Sequence, residues 1–238
     1  MLLYESIARQ IVQEIQEKSL PHGYKLETLD QLTERFNTSK NTIVRALETL
    51  EAHGHIYQIR GSGSFVRRRK RNYYLDLLSH QGYQSSLKKL SLTSKLISKE
   101  IIPAPEFVCK ELDVDLGEPL VYIKRLHYIG NFARTLCIEK SYYKQSVVAD
   151  LPLEAINDSI FDYIQNELDV MIGFSDTYIK VEKLKKQEAD LLKLHVNDPA
   201  LVIEEIYYTK YGEPFDYSEA TYNYEEAYLY AQASSFAK

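Results

Sequence analysis

Tryptophan is absent, and cysteine and methionine occur only twice each in 238 residues. The two cysteines, Cys109 and Cys137, are too few for a disulfide framework and have no metal-ligand spacing. A stapled secreted scaffold and a zinc module are therefore set aside, and a reducing, cytoplasmic compartment is expected. No apolar run is long enough to span a bilayer, and the opening MLLYESIARQ lacks the charged and apolar regions of a secretory leader. A Walker-type glycine loop and a Ser/His/Asp spacing are also missing, so no catalytic residue, cofactor or metal is expected.

The net charge of −5 argues against a nucleic-acid partner only while it is taken globally. Residues 1–72 carry 12 basic and 8 acidic side chains, and the remainder carries 17 and 26. A positive head on an acidic body suits an encounter with phosphates.

That head centres on Thr28 to Val66. Thr28 and Gln31 have the spacing of a capping box, and Leu29, Leu32 and Phe36 give the following helix one apolar face. Asn37-Thr38 breaks it, and Ser39 is placed to cap a second helix whose Ile43, Ala46, Leu47 and Leu50 form a buried stripe. Lys40, Asn41, Thr42 and Arg45 then lie on the other side near its start, where a recognition helix presents groups to base edges. His53-Gly54 ends it. A hairpin over Ile56–Val66 turns at Arg60-Gly61-Ser62-Gly63-Ser64, with glycines that permit positive φ and close approach to a phosphate. Tyr4, Ile7, Ala8, Ile11, Val12 and Ile15 predict a further amphipathic helix over 3–18. An ordinary small helical domain with a surface hairpin is the alternative. The order and spacing of the pieces favour a winged helix-turn-helix that binds double-stranded DNA, with Thr28, Ser39, Lys40, Asn41, Thr42, Arg45, Arg60, Gly61, Ser62 and Gly63 as its contact residues.

Arg67-Arg68-Arg69-Lys70-Arg71 follows, a solvated linker or one that also lies along a DNA backbone. The expected division is a DNA-binding domain over 1–68, a linker over 69–83 and a second domain over 84–238. Within the second, LDVDLGEPLVYIKR (112–125) resembles LHVNDPALVIEE (194–205). The echo continues in Glu139-Lys140-Ser141-Tyr142 and Glu219-Ala220-Thr221-Tyr222, each 14 residues further on. Two similar helix-strand-strand halves in one antiparallel sheet are expected, an α+β fold. Their first helices are placed at Glu106 to Leu112 and Lys185 to Leu194, and another at 159–165 with Ser159 or Asp158 as N-cap. On the strands, Arg125 and His127 share a face, as do Glu139 and Ser141. Such a group inside a sheet needs a charged ligand or mutual pairing, and a plain Arg125–Glu139 cross-strand ion pair is the alternative to a ligand site.

The first 66 residues resemble the DNA-binding domain of the GntR family of bacterial transcription regulators. The resemblance rests on YESIARQIVQEI, on Glu27-Thr28-Leu29-Asp30-Gln31-Leu32, on TSKNTI, and on the wing IRGSGSFV. Asp30 and Val44 stand where that family usually has DNA-touching arginines, and Ile59 takes the usual place of the wing arginine, displaced to Arg60. These departures imply DNA binding at an unusual half-site. Residues 84–234 resemble the UTRA domain of HutC-type members, whose fold is similar to chorismate lyase. The matching points are Arg125-Leu126-His127, Glu139 with Tyr142-Tyr143, Ser159-Ile-Phe-Asp-Tyr-Ile, and Gly212-Glu-Pro-Phe-Asp-Tyr-Ser-Glu with Tyr222.

The resemblance implies a homodimeric repressor that leaves a palindromic operator when a small anionic metabolite, such as a sugar phosphate, binds. It places the metabolite's acidic part at Arg125, His127 and a helix start at Gly82–Lys88 carrying Ser85 and Ser86. Glu139 and Glu219 would take hydroxyls, and Ser159, Tyr217 and Tyr222 complete the expected effector site. The rival expectation is a lyase-like enzyme domain fused to a DNA-binding head.

Overall fold

The computed structural model describes residues 2–68, 74–76, 92–130 and 134–231. They form two compact units that divide between residues 72 and 73. The expected linker over 69–83 and the Ser85/Ser86 segment lie almost wholly outside the described residues.

In the first unit, α1 (Leu3–Glu17) buries Ile7, Ala8, Ile11 and Ile15 on one stripe. Thr28 caps α2 (Leu29–Arg35). Its hydroxyl accepts from the Gln31 amide at 3.3 Å, and its own amide donates to Gln31 Oε1 at 2.8 Å. Asn37 adopts positive φ (+46°) to turn the chain, and Ser39 caps α3 (Lys40–Ala52) by accepting from the Thr42 amide. The strands β1 (Ile56–Ile59) and β2 (Gly63–Val66) pair antiparallel. The turn is tighter than expected. Gly63 and Ser64 already belong to β2, because Ile59 pairs with Gly63 and only Arg60-Gly61-Ser62 remain outside the ladder. Ile7, Ile11, Leu32, Ile43, Leu50 and Ile56 make the core, each worth about 1.5–3 kcal/mol when taken from water.

The second unit opens with β3 (Leu75–Asp76), which pairs parallel with the late strand β10 (Leu229–Tyr230). Its main sheet is built from β4 (Leu92–Pro103), β5 (Pro119–Ile129), β6 (Arg134–Lys144), β7 (Ile172–Lys183), β8 (Pro199–Thr209) and β9 (Pro214–Asn223). The strand order is β4-β5-β6-β9-β8-β7, antiparallel throughout. Two halves meet at the β6–β9 seam. Each is strand-helix-strand-strand rather than helix-strand-strand, because the edge strands β4 and β7 precede the helices α4 (Glu106–Leu112) and α7 (Lys186–Leu192).

The repeat is gapless at these helices. Leu112 corresponds to Leu192 and Val114 to Leu194. Asp113 and Lys193 both leave their helices in the left-handed region, Gly117 and Asn197 both have positive φ, and Pro119 and Pro199 both start strands. The returning strands are offset by one residue. Arg125 faces Glu139, whereas Glu205 faces Ser218, not Glu219.

α4 and α7 cover one face of the sheet through Val108, Leu112, Ala189 and Leu192. The short helices α5 (Leu153–Asn157) and α6 (Ile160–Asn166) cover the other, against Val121, Ile123, Tyr143 and Tyr207. Ser159 caps α6 as expected, accepting from the Asp162 amide at 3.1 Å.

Candidate functional sites

In the first unit, Lys40, Asn41 and Arg45 project into solvent from the start of α3, Thr42 is half-buried, and Thr28, Ser39 and the Arg60–Gly63 turn are exposed. Two details constrain this surface. Lys40 Nζ lies 2.6 Å from Asp30 Oδ1, so the first cation of α3 meets a carboxylate from the first turn of α2. Arg35 is engaged by Glu14 at 3.0 Å and by Glu27. Gly61 and Gly63 both have positive φ (+77° and +119°), and a Cβ on Gly63 would sit 3.2 Å from Lys25 Cε. Lys25 bridges to Phe65 of the wing, so a cation far from the wing in sequence stands beside it in space. Sequence reasoning missed Lys25, and the only signal was its position just before the capping box.

In the second unit, Arg125, His127 and Glu139 come together on the inner side of the sheet, all buried. Arg125 Nε donates to Glu139 Oε2 at 2.8 Å, with Nη2 at 2.6 Å, and Nη1 donates to the Ile156 carbonyl of α5 at 3.0 Å. His127 Nε2 is 2.7 Å from the same carboxylate oxygen, and its Nδ1 is 2.9 Å from Ser94 Oγ. Burial alone would raise the Glu139 pKa, but Arg125 and then His127 outweigh it and hold the carboxyl at about 2. The expected cross-strand ion pair is therefore present, and it is a buried three-member network rather than a surface pair.

The same face carries two carboxyl groups that the sequence did not single out. Asp216 is fully buried. Its Oδ1 lies 2.9 Å from Ser218 Oγ, which also approaches Ser141 Oγ at 2.9 Å, and its Oδ2 has no partner. Burial, then the negative charges of Glu139 and Glu205, push its pKa well above the usual carboxylate range. Glu205 is pushed up to about 7, chiefly by burial. The available signal was the alternation of Asp216 and Ser218 with Phe215 and Tyr217, which marks a polar inward face.

The remaining expected effector residues do not all converge. Tyr222 lies on the face of Glu139, packed with Cys137, Ile203 and Ala220. Ser159 is buried on the α6 side with its hydroxyl used as a cap. Tyr217 and Glu219 point to the opposite face, which corrects their grouping with Arg125. There Tyr217 donates to Glu204 at 3.0 Å and Glu219 pairs with Lys140 at 2.8 Å. They line a groove of about 670 Å³ with Phe107, Tyr142 and Lys180. Ser85 and Ser86 lie outside the described residues.

Comparison with known proteins resolves what these two units are. Residues 3–66 match the model of the bacterial regulatory proteins of the gntR family, and residues 88–227 match the UTRA domain. The chain belongs to the GntR family, with the HutC/UTRA-type architecture. It is a DNA-binding transcriptional regulator and not an enzyme, so the lyase expectation is withdrawn. The chain is 44% identical over 237 residues to the HTH-type transcriptional regulator YydK of Bacillus subtilis (strain 168), covering 99% of each chain. The YydK crystal structure superposes with a TM-score of 0.87, at 41% identity, over 98% of this chain and 100% of that one. The mannosyl-D-glycerate transport/metabolism system repressor MngR of Escherichia coli (strain K12) is 24% identical over 224 residues, covering 94% of this chain and 92% of its own length.

Proposed function

We propose that this GntR-family regulator is a homodimeric, cytoplasmic repressor whose second unit binds a small anionic sugar derivative, such as a sugar phosphate, and thereby releases operator DNA. Lys40, Asn41, Thr42 and Arg45 read base edges. Thr28, Ser39 and the wing turn Arg60-Gly61-Ser62-Gly63 hold the sugar-phosphate backbone.

The observation that carries the effector reading is the buried Arg125–Glu139–His127 network. A buried charge network of this kind adds little net stability even when paired, so its place on the sheet interior supports a functional use. Arg125 supplies a cationic donor for an anionic group, with the His127 ring beside it. Glu139, Glu205 and Asp216 supply acceptors for hydroxyls along the same face. Tyr222 lies on the same face. The repressor sense and a sugar-derived effector are supported by the similarity to MngR, named for mannosyl-D-glycerate metabolism. Effector binding acts by linkage, favouring a dimer geometry in which two recognition helices no longer match half-sites one helical turn apart.

The test is fluorescence anisotropy of the full chain on its own upstream DNA, titrated with a panel of sugar phosphates and with the corresponding unphosphorylated sugars. Release by a phosphorylated compound alone supports the reading. Tight binding that no member of the panel changes overturns the effector class and leaves the DNA reader.

A further inference from the structure

The wing is wider than its hairpin. The chain just before α2 lies along the outer edge of β2 and straps it. The Gly23 amide donates to the Val66 carbonyl at 2.9 Å, the Val66 amide to the Tyr24 carbonyl at 2.8 Å, and the Leu26 amide to the Ser64 carbonyl at 2.8 Å. Within this strap Lys25 pairs antiparallel with Phe65. Residues directly opposite one another share a face, so Lys25, Phe65 and Tyr57 form one row, on the side away from the core that takes Ile56 and Val66. The Tyr57 and Phe65 rings stack 5.5 Å apart in that row. From there the lysine stem runs toward the turn, where its Cε would lie 3.2 Å from a Cβ on Gly63.

The ammonium delivered to this place is uncommitted. Arg35 of the same unit is taken by Glu14 and Glu27, Lys40 by Asp30, and Lys18 by Glu14. Lys25 is exposed and has no ion pair among the described residues, since Glu27, the carboxylate nearest to it in sequence, is turned to Arg35.

We propose that Lys25 is a DNA contact of this regulator, its ammonium meeting a backbone phosphate beside the wing turn. The chemistry selects a phosphate rather than a base. An ammonium is a compact point charge on a flexible stem, without the planar fork that recognises a base edge in two places at once. Its row on the wing carries aromatic rings and no amide or guanidinium group that would discriminate bases. Contacts of this kind set the position of a protein on the duplex and add affinity that falls with salt. The strap is bonded through the backbone of Gly23, Tyr24 and Leu26, so the scaffold that presents the charge does not depend on the lysine side chain. Gly63 gains a second reason to be glycine: beyond its φ of +119°, a side chain there would displace the stem. The inference rests on the DNA-binding identity of the first unit and is independent of the effector and of the number of copies.

The test is anisotropy of the full chain on its own upstream DNA and on an unrelated duplex of equal length, across a salt series. Lys25→Met keeps the stem and removes the charge. It is expected to weaken both complexes by the same factor, about three- to tenfold at low salt, and to lower the slope of log affinity against log salt by about one. Lys25→Arg is expected to stay within about twofold of the parent, because a phosphate accepts either cation. Lys18→Met removes the same charge from another exposed lysine of the unit and is expected to leave the slope unchanged. An unchanged slope for Lys25→Met, an equal loss for Lys18→Met, or a loss confined to the upstream DNA would overturn the assignment. Acetylation of lysines in the parent chain, read by mass spectrometry, gives a second readout that needs no variant. Bound DNA is expected to protect Lys25 and leave Lys18 reactive, and a Lys25 that reacts equally with and without DNA would remove it from the interface.

Discussion

Lys40 Nζ sits 2.6 Å from Asp30 Oδ1, with both side chains more than 60% exposed. The only lysine at the start of the recognition helix is thus neutralised by a residue standing where GntR proteins usually carry an arginine. An exposed pair of this kind is worth about 0–1 kcal/mol, so DNA can displace it, and the Asp30 carboxylate then opposes an approaching phosphate. Asp30→Ala should tighten operator binding about three- to tenfold at low salt, with the gain shrinking as salt rises. Lys40→Ala should weaken binding by about 1–3 kcal/mol if Lys40 reads a base. Anisotropy across a salt series checks both, and an Asp30→Ala protein that binds no tighter would remove the neutralisation argument.

The inner network separates structural from functional roles. Arg125→Ala leaves the Glu139 carboxylate buried with only His127, which should destabilise the second unit by about 3–5 kcal/mol in urea unfolding. Arg125→Met with Glu139→Leu replaces the pair by apolar groups and should recover most of that loss. The double variant should still bind operator and fail to release it with any effector. Release at the parent's concentration would show that the network serves folding alone.

Face assignment gives a sharper test of the site. Glu219→Gln alters a Lys140 contact on the far side of the sheet and should leave the effector concentration for half-release within about twofold. Glu139→Gln should raise it about ten- to a hundredfold, the scale on which a lost charge-assisted hydrogen bond acts. Equal effects would return Glu219 to the effector site.

Glu205 should write a pH dependence into stability. Its folded-state pKa lies near 7, above the ordinary 4.5, chiefly through burial. Its contribution is therefore fully present below about pH 4.5 and is lost as pH rises through 7. Glu139, held at about 2, acts the opposite way and only below pH 4.5. Glu205→Gln should stabilise the chain more at pH 8 than at pH 5 in paired chemical denaturations. An equal change at both pH values would mean that Glu205 is ionised at neutrality.

What the sequence disclosed followed the range of the interactions. Caps at Thr28, Ser39 and Ser159, the apolar stripes of α1 and α3, and the helices beside Leu112 and Leu192 are set by residues three or four apart, and they were legible. The inward pairing of Arg125 with Glu139 was also legible, since it needs only strand alternation and one hairpin. The edge strands were not. LTSKLISKEIIP has neither clean alternation nor a turn signal at its bulge, and its partner strand begins beyond an intervening helix. Glu219 was misplaced for a related reason. The 14-residue echo is real in sequence, but β8 and β9 pair one residue out of step with β5 and β6, and one residue of slip turns every side chain to the other face. Glu205 and Asp216 look like ordinary strand polar residues until the sheet closes around them.

The doubled fold also has a direction. The backbone repeats about the β6–β9 seam, yet Arg125 in one half corresponds to Glu205 in the other, and Glu139 to Ser218. The same scaffold occurs twice and its side chains polarise it, cation-bearing in one half and rich in carboxyl groups in the other. A molecule lying across that seam meets a different chemistry at each end, so a nearly symmetric sheet admits it one way round.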